Sequence, residues 1–135
     1  MAKKILVVDD EQEVVRAVQM SLEKVGFEVL TAQNGLQALA QVNTESPDLV
    51  VMDVNMPVMN GFEAVQQLKA DAATAHIPIV MLTSDQSWGS RAIGMEAGTD
   101  VYLTKPFNPR ELVKRVKAAL RGAAIKRIFP RSRRV

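Results

Sequence analysis

The sequence predicts an α/β fold of the doubly wound kind, a five-stranded parallel sheet sandwiched between helices. Two observations lead there. Five short apolar runs recur along the chain, and segments with helical spacing separate them. The 135 residues, 47% hydrophobic and 24% charged, have the balance of one ordinary domain with a single core.

The apolar runs are Ile5–Val8, Phe27–Thr31, Leu49–Met52, Ile77–Leu82 and Val101–Thr104. They are rich in Val and Ile and mostly do not alternate with polar residues, which suits strands covered on both faces. Val14, Val15, Val18, Leu22 and Val25 form the apolar stripe of a first helix, which Gly26 is placed to end. Leu112, Val113, Val116, Ala119 and Leu120 form the stripe of a last helix, opened by Asn108 as cap and Pro109 at the first helical position. Weaker helices fit Gly35–Asn43, Phe62–Ala70 and about Ser87–Ala97. Right-handed crossovers turn this strand-then-helix order into a doubly wound sheet.

Composition removes several classes of function. The chain contains no cysteine, which excludes zinc fingers, iron–sulfur clusters, thiol catalysis and a disulfide framework. The apolar run after Lys4 ends at Asp9 and Asp10, too soon for a signal peptide or a membrane span, so a cytoplasmic location is expected. Neither GxxxxGK[ST] nor GxGxxG occurs, and nucleotide binding is disfavoured. Charge is divided unevenly. Residues 1–122 carry net −3 and residues 123–135 carry +5, so 1–122 is read as the domain and 123–135 as a basic tail.

In sheets of this kind ligands bind outside the carboxyl ends of the strands. The residues just after each strand there are Asp9 and Asp10, Asp53, Thr83 and Ser84, and Lys105 with Pro106, while the second strand offers only Gln33 and Asn34. Three carboxylates on one rim repel one another, so a pKa must rise or a cation must neutralise them. Hard oxygen ligands of this type suit Mg²⁺. A carboxylate can also serve as a nucleophile toward phosphorus, with an ammonium and a hydroxyl to meet the phosphoryl oxygens. Taken singly, each residue has a plainer reading: Asp9-Asp10 as a helix cap, Asp53 as a turn residue, Thr83 as a strand-end hydroxyl, Tyr102 as an amphipathic core residue.

Together, Asp9-Asp10 after the first strand, Asp53 in "MDVNMPVMNG", Thr83 after the fourth strand and Lys105-Pro106-Phe107 after the fifth resemble the receiver domain of bacterial two-component response regulators. The likeness runs from residue 3 to about 121, and it implies a flavodoxin-like (βα)5 sheet of strand order 2-1-3-4-5. It also implies that Asp53 is the phosphoacceptor, with Mg²⁺ bound by Asp10 and Asp53, by the backbone carbonyl of Asn55, and by Asp9 through water. Thr83 and Lys105 would contact the phosphoryl group, Lys105-Pro106 would be a cis peptide, and Tyr102 would be the aromatic partner of Thr83 in a switch. Ser84 departs from the usual alanine, and Asn55 and Asp85 occupy variable positions.

The expected function is a phosphorylation-driven switch rather than an enzyme, charged by a sensor histidine kinase or a phosphotransfer protein. With only 13 residues after Gly122, a stand-alone switch with output by partner binding is expected. Arg110, Lys114, Lys117 and Arg121 give the last helix a basic stripe, so that helix and its neighbours are the expected surface for a downstream protein. Nucleic acid is disfavoured, since the basic tail brings one aromatic residue, Phe129, and no helix-turn-helix signature. Two competing readings are a Mg²⁺-dependent phosphohydrolase and a constitutive adaptor. Hydrolases of the haloacid dehalogenase type usually carry a second aspartate where this chain has Asn55.

Overall fold

In the computed structural model, residues 2–84 and 101–128 are described. The helix expected at about Ser87–Ala97, together with Asp85 and the tail from Phe129, lies outside the described residues. The elements run β1 (Lys4–Val8), α1 (Gln12–Glu23), β2 (Glu28–Ala32), α2 (Gly35–Glu45), β3 (Leu49–Asp53), α3 (Gly61–Ala70), β4 (Ile79–Thr83), β5 (Val101–Thr104) and α4 (Pro109–Ile128). All strands are parallel, in the order β2-β1-β3-β4-β5. This is the expected sheet.

Strand alternation divides the core in two. Ile5, Val7, Leu49, Val51, Val80 and Leu82 face α1 and α4, where Val18, Leu22, Leu112 and Val116 meet them. Leu6, Val8, Val50, Met52, Ile79 and Met81 face α2 and α3 and pack on Ala38, Val42, Ala64 and Leu68. Both faces of β1, β3 and β4 are therefore dry, and each fully buried Leu or Ile contributes about 1.5–3 kcal/mol relative to exposure. β2 is an edge strand, buried fully only at Ala32, and reads as an amphipathic run.

Several bounds differ from the sequence expectation for local reasons. β4 starts at Ile79 rather than Ile77, because Pro78 has no N–H for the ladder and instead its carbonyl accepts the Val50 N–H at 3.0 Å. β3 and β4 run one residue further than expected and so include Asp53 and Thr83. α3 opens one residue early, at Gly61, on a capping box in which Asn60 and Glu63 exchange side-chain and backbone hydrogen bonds. α1 ends at Glu23, earlier than the stripe through Val25 suggests, and the chain leaves it by a turn at Gly26, which sits at φ +98, with its N–H on the Glu23 carbonyl and the Phe27 N–H on Leu22. The Asn108 side chain accepts the Arg110 N–H at 2.8 Å, as its capping role requires. α4 continues through Gly122 to Ile128, so helix extends into the segment read as tail.

Gly61 ties this framework to the carboxyl edge of the sheet. Its N–H donates to the Val54 carbonyl at 2.9 Å, and a Cβ there would overlap the carbonyl oxygen of Asp53. Gly122 has nothing within 4 Å of the corresponding point. Gly61→Ala should therefore destabilise the protein by about 1–3 kcal/mol, while Gly122→Ala should stabilise it by about 0.5–1 kcal/mol through helix propensity. Urea denaturation midpoints of the two variants check both signs.

Candidate functional site

The same alternation that builds the core aims the rim residues. Asp9 and Asp53 are in phase with Ile5, Val7, Leu49 and Val51, and Lys105 is in phase with Val101 and Leu103, so all three continue the side of the sheet facing α1 and α4. Thr83 and Tyr102 have the opposite phase. They lie on adjacent strands, with Met81 opposite Tyr102 and Thr83 opposite Thr104.

Asp9, Asp10 and Asp53 each offer a carboxylate oxygen within 4.8 Å of one another. Asp9 and Asp53 are 0% and 3% exposed, whereas Asp10 is exposed. The Lys105 ammonium reaches into this group, at 2.9 Å from Asp9 Oδ2 and 3.3 Å from Asp53 Oδ1. Its backbone N–H donates to the Thr83 carbonyl at 2.7 Å, which fixes where the side chain starts. The Lys105-Pro106 peptide is cis. Thr83 is buried at the end of β4, and Tyr102 is half-buried against the core layer on the α2 and α3 side.

Sequence reasoning did not anticipate Glu11. It stands at the N-cap of α1, a place where Ser, Thr, Asp or Asn is favoured, yet its side chain makes no capping bond. Its carboxylate instead accepts from Lys105 at 3.2 Å. The Glu11 backbone N–H donates to Asp9 Oδ1 at 2.9 Å, so both oxygens of Asp9 have partners within the protein. A glutamate at a capping position directly after two aspartates is the signal that would have singled it out.

Electrostatics follow from this crowding. Burial, and then the charge of Asp9, push the Asp53 carboxyl up from 3.8 to about 6, against the opposing pull of Lys105 and the Asn55 backbone N–H. Burial likewise raises Asp9, partly offset by the Glu11 N–H and by Lys105. For Lys105 burial works the other way and lowers the ammonium, but the hydrogen bond to Asp9 and the charges of Asp53 and Asp9 outweigh it, and the net shift is upward. The site thus holds more negative charge than one lysine neutralises.

A family model described as "Response regulator receiver domain" matches residues 5–117. The chain belongs to the response regulator receiver family. It is 46% identical over 125 residues to the alkaline phosphatase synthesis transcriptional regulatory protein PhoP of Bacillus subtilis, covering 93% of this chain and 51% of that protein. To the phosphate regulon transcriptional regulatory protein PhoB of Pseudomonas aeruginosa it is 44% identical over 121 residues, covering 90% and 53%. The chain thus spans about half the length of these curated relatives. Among solved structures, a putative response regulator from Chloroflexus aurantiacus superposes with TM-score 0.87 at 36% identity, over 90% of this chain and 99% of that one. The chemotaxis response regulator CheY4 of Vibrio cholerae does so with TM-score 0.83 at 37% identity, over 88% and 99%. Since the longer relatives are transcriptional regulators by name, composition alone does not exclude a role in transcription. Among the described residues no helix is long and apolar enough to cross a membrane.

Receivers bind Mg²⁺, and the donor set here fits it: hard carboxylate oxygens, one of them exposed, in a cluster whose surplus charge a divalent cation would offset. Asp10 is the exposed member of the three, while the carboxylates of Asp9 and Asp53 both meet Lys105.

The raised Asp53 carboxyl makes a pH-dependent stability difference testable. Between 3.8 and about 6 the folded protein binds more protons at Asp53 than the unfolded chain does, so the Asp53 contribution to stability falls as pH rises through that window. In Mg²⁺-free buffer at pH 7, Asp53→Asn should be more stable than the parent by about 1–3 kcal/mol, and the gap should close as pH falls below 4. Denaturant melts across pH check it.

Proposed function

We propose that this receiver accepts a single phosphoryl group on Asp53 from the phosphohistidine of a sensor histidine kinase or phosphotransfer protein, and that the charged form is read by a partner protein. The observation that carries the reading is the convergence on Asp53 of Lys105 at 3.3 Å and of two further carboxylates within 4.8 Å, at the edge of the sheet where its strands end. A carboxylate oxygen of Asp53 attacks phosphorus, the P–N bond to the donor imidazole breaks, and the imidazole nitrogen keeps the bonding pair and picks up a proton. Asp53 must be ionised to attack, which holds at neutral pH even with its carboxyl raised to about 6.

Asp10, Asp53 and the Asn55 backbone carbonyl, with Asp9 beside them, would hold Mg²⁺, which would supply charge neutralisation for the transferring group. Lys105 is already protonated and aimed at Asp53, so it meets a phosphoryl oxygen without having to be recruited. The Thr83 hydroxyl, at the end of the neighbouring strand, donates to another oxygen of that group. Tyr102 lies on the same face of the sheet as Thr83, one strand further out, where a shift of Thr83 toward the phosphoryl group changes the space beside its ring. Such a coupled rearrangement is the two-state element that phosphorylation biases. The last helix and its neighbours are the surface on which the change is read.

Glu11 restrains this chemistry. It draws Lys105 toward solvent and adds a negative charge near an anionic donor.

Incubation with acetyl phosphate, followed by intact-protein mass, should show Mg²⁺-dependent gain of one phosphoryl group that is absent in Asp53→Asn. Gain in that variant would place the acceptor elsewhere, and equal gain without Mg²⁺ would remove the cation from the reading. Glu11→Gln should raise the rate of phosphorylation by roughly threefold, which corresponds to somewhat under 1 kcal/mol in the barrier.

A further inference from the structure

β2 stands at one end of the sheet, with β1 as its neighbour. In a parallel pair a residue sends its N–H and its C=O to the same side, and successive residues alternate sides. The Glu28 N–H donates to the Lys3 carbonyl at 2.9 Å and the Ala32 carbonyl accepts the Asp9 N–H at 3.2 Å, so Glu28, Leu30 and Ala32 face β1. Val29, Thr31 and Gln33 therefore turn their backbone groups outward. Such a row is a ready template for another strand. The common deterrents are missing from β2 itself, since EVLTA has neither Lys nor Pro and its register with β1 runs over five pairs without a bulge.

α2 reaches over this edge with two glutamines. Gln41 Nε2 donates to the Thr31 carbonyl at 2.9 Å, and Gln37 Oε1 accepts the Gln33 N–H at 2.8 Å. Their spacing explains the match. Four residues of helix rise about 6 Å and two residues of strand about 7 Å, so side chains one turn apart meet the outward groups of alternate strand residues. The helix runs back along β2 after the short link Gln33-Asn34, which pairs the earlier glutamine with the later strand residue. Ala38 and Val42, each next to one of the glutamines, are buried and hold the helix in place, and Asn34 Oδ1 accepts the Gln37 N–H at 2.9 Å.

We propose that Gln37 and Gln41 guard the β2 edge against strand addition by a second copy of this chain, whose own β2 would pair antiparallel with it across a two-fold axis. An incoming strand needs the Thr31 carbonyl and the Gln33 N–H for its ladder, and both are already taken. A second β2 is the natural intruder, because the same short run meets itself and the contact closes as a dimer. With the glutamines gone, those two groups have no partner from α2, and pairing with another strand satisfies them. The proposal does not rest on the phosphoacceptor reading, since Asp9, Asp10, Asp53 and Lys105 take no part in it.

The test is the association state of the full chain carrying Gln37→Ala/Gln41→Ala. Both substitutions raise helix propensity and so leave α2 intact, which circular dichroism melts confirm. Sedimentation velocity over a concentration series should show the double variant dimerising at least about tenfold more tightly than the parent, with hydrogen exchange slowed across residues 28–33 in the dimer. Adding Thr31→Pro removes an outward N–H without touching the ladder to β1, and should return association to the parent's level. Gln66→Ala/Gln67→Ala, which removes two exposed glutamines from α3, is the control that leaves association unchanged. A double variant that associates no more tightly than the parent would overturn the proposal. So would dimerisation that survives Thr31→Pro, or that leaves exchange across residues 28–33 as it was.

Discussion

Two carboxylates withdrawn from water beside a single ammonium set the terms for everything at the carboxyl edge of this sheet. Asp9 and Asp53 are buried because Asp9 follows directly on β1 and Asp53 closes β3, two strands covered on both faces. Lys105 resolves part of the conflict, and its own position depends on the backbone bond to Thr83 at the end of β4. The residual charge is what gives the edge its appetite for a divalent cation and for chemistry that disperses charge over phosphoryl oxygens. Stability and function pull against each other here, as they commonly do where a site is held in a tense state.

Strand parity distributes the roles. The side facing α1 and α4 ends in the charged groups Asp9, Asp53 and Lys105, and the side facing α2 and α3 ends in Thr83 and Tyr102. The two groups of residues therefore sit on opposite sides of the sheet's thickness rather than in one layer. Since the five strands are hydrogen-bonded as a continuous parallel sheet, a change at either group finds a stiff medium, in which small displacements at one edge are not absorbed locally.

Much of this was legible in the sequence, since doubly buried strands announce themselves as Val- and Ile-rich runs and the amphipathic helices between them fix the layer order. The three aspartates and Lys105 were legible for the same reason, each standing immediately after such a run. What escaped were features decided by partners far away in the chain. Ile77 looks like strand until Pro78 is seen to offer β3 only a carbonyl. Glu11 looks like an ordinary exposed acid until Lys105 arrives from 94 residues downstream. Gly122 looks like a helix terminus, but the alanines around it favour helix enough to carry α4 through at a cost of about 1 kcal/mol.

The contact between Gly61 and the Asp53 backbone bears on how this domain tolerates being rebuilt. The segment from Val54 to Asn60 is clamped at both ends, by the strand that bears Asp53 and by a glycine that admits no side chain, so added length there would unseat the Asp53 carboxylate itself. The exposed turn at Asp71–Ala73, where chain passes from α3 toward the opposite edge of the sheet, carries no such linkage. Sensor modules or affinity handles grafted into this protein belong at that far edge, where the phosphoryl chemistry would not register their presence.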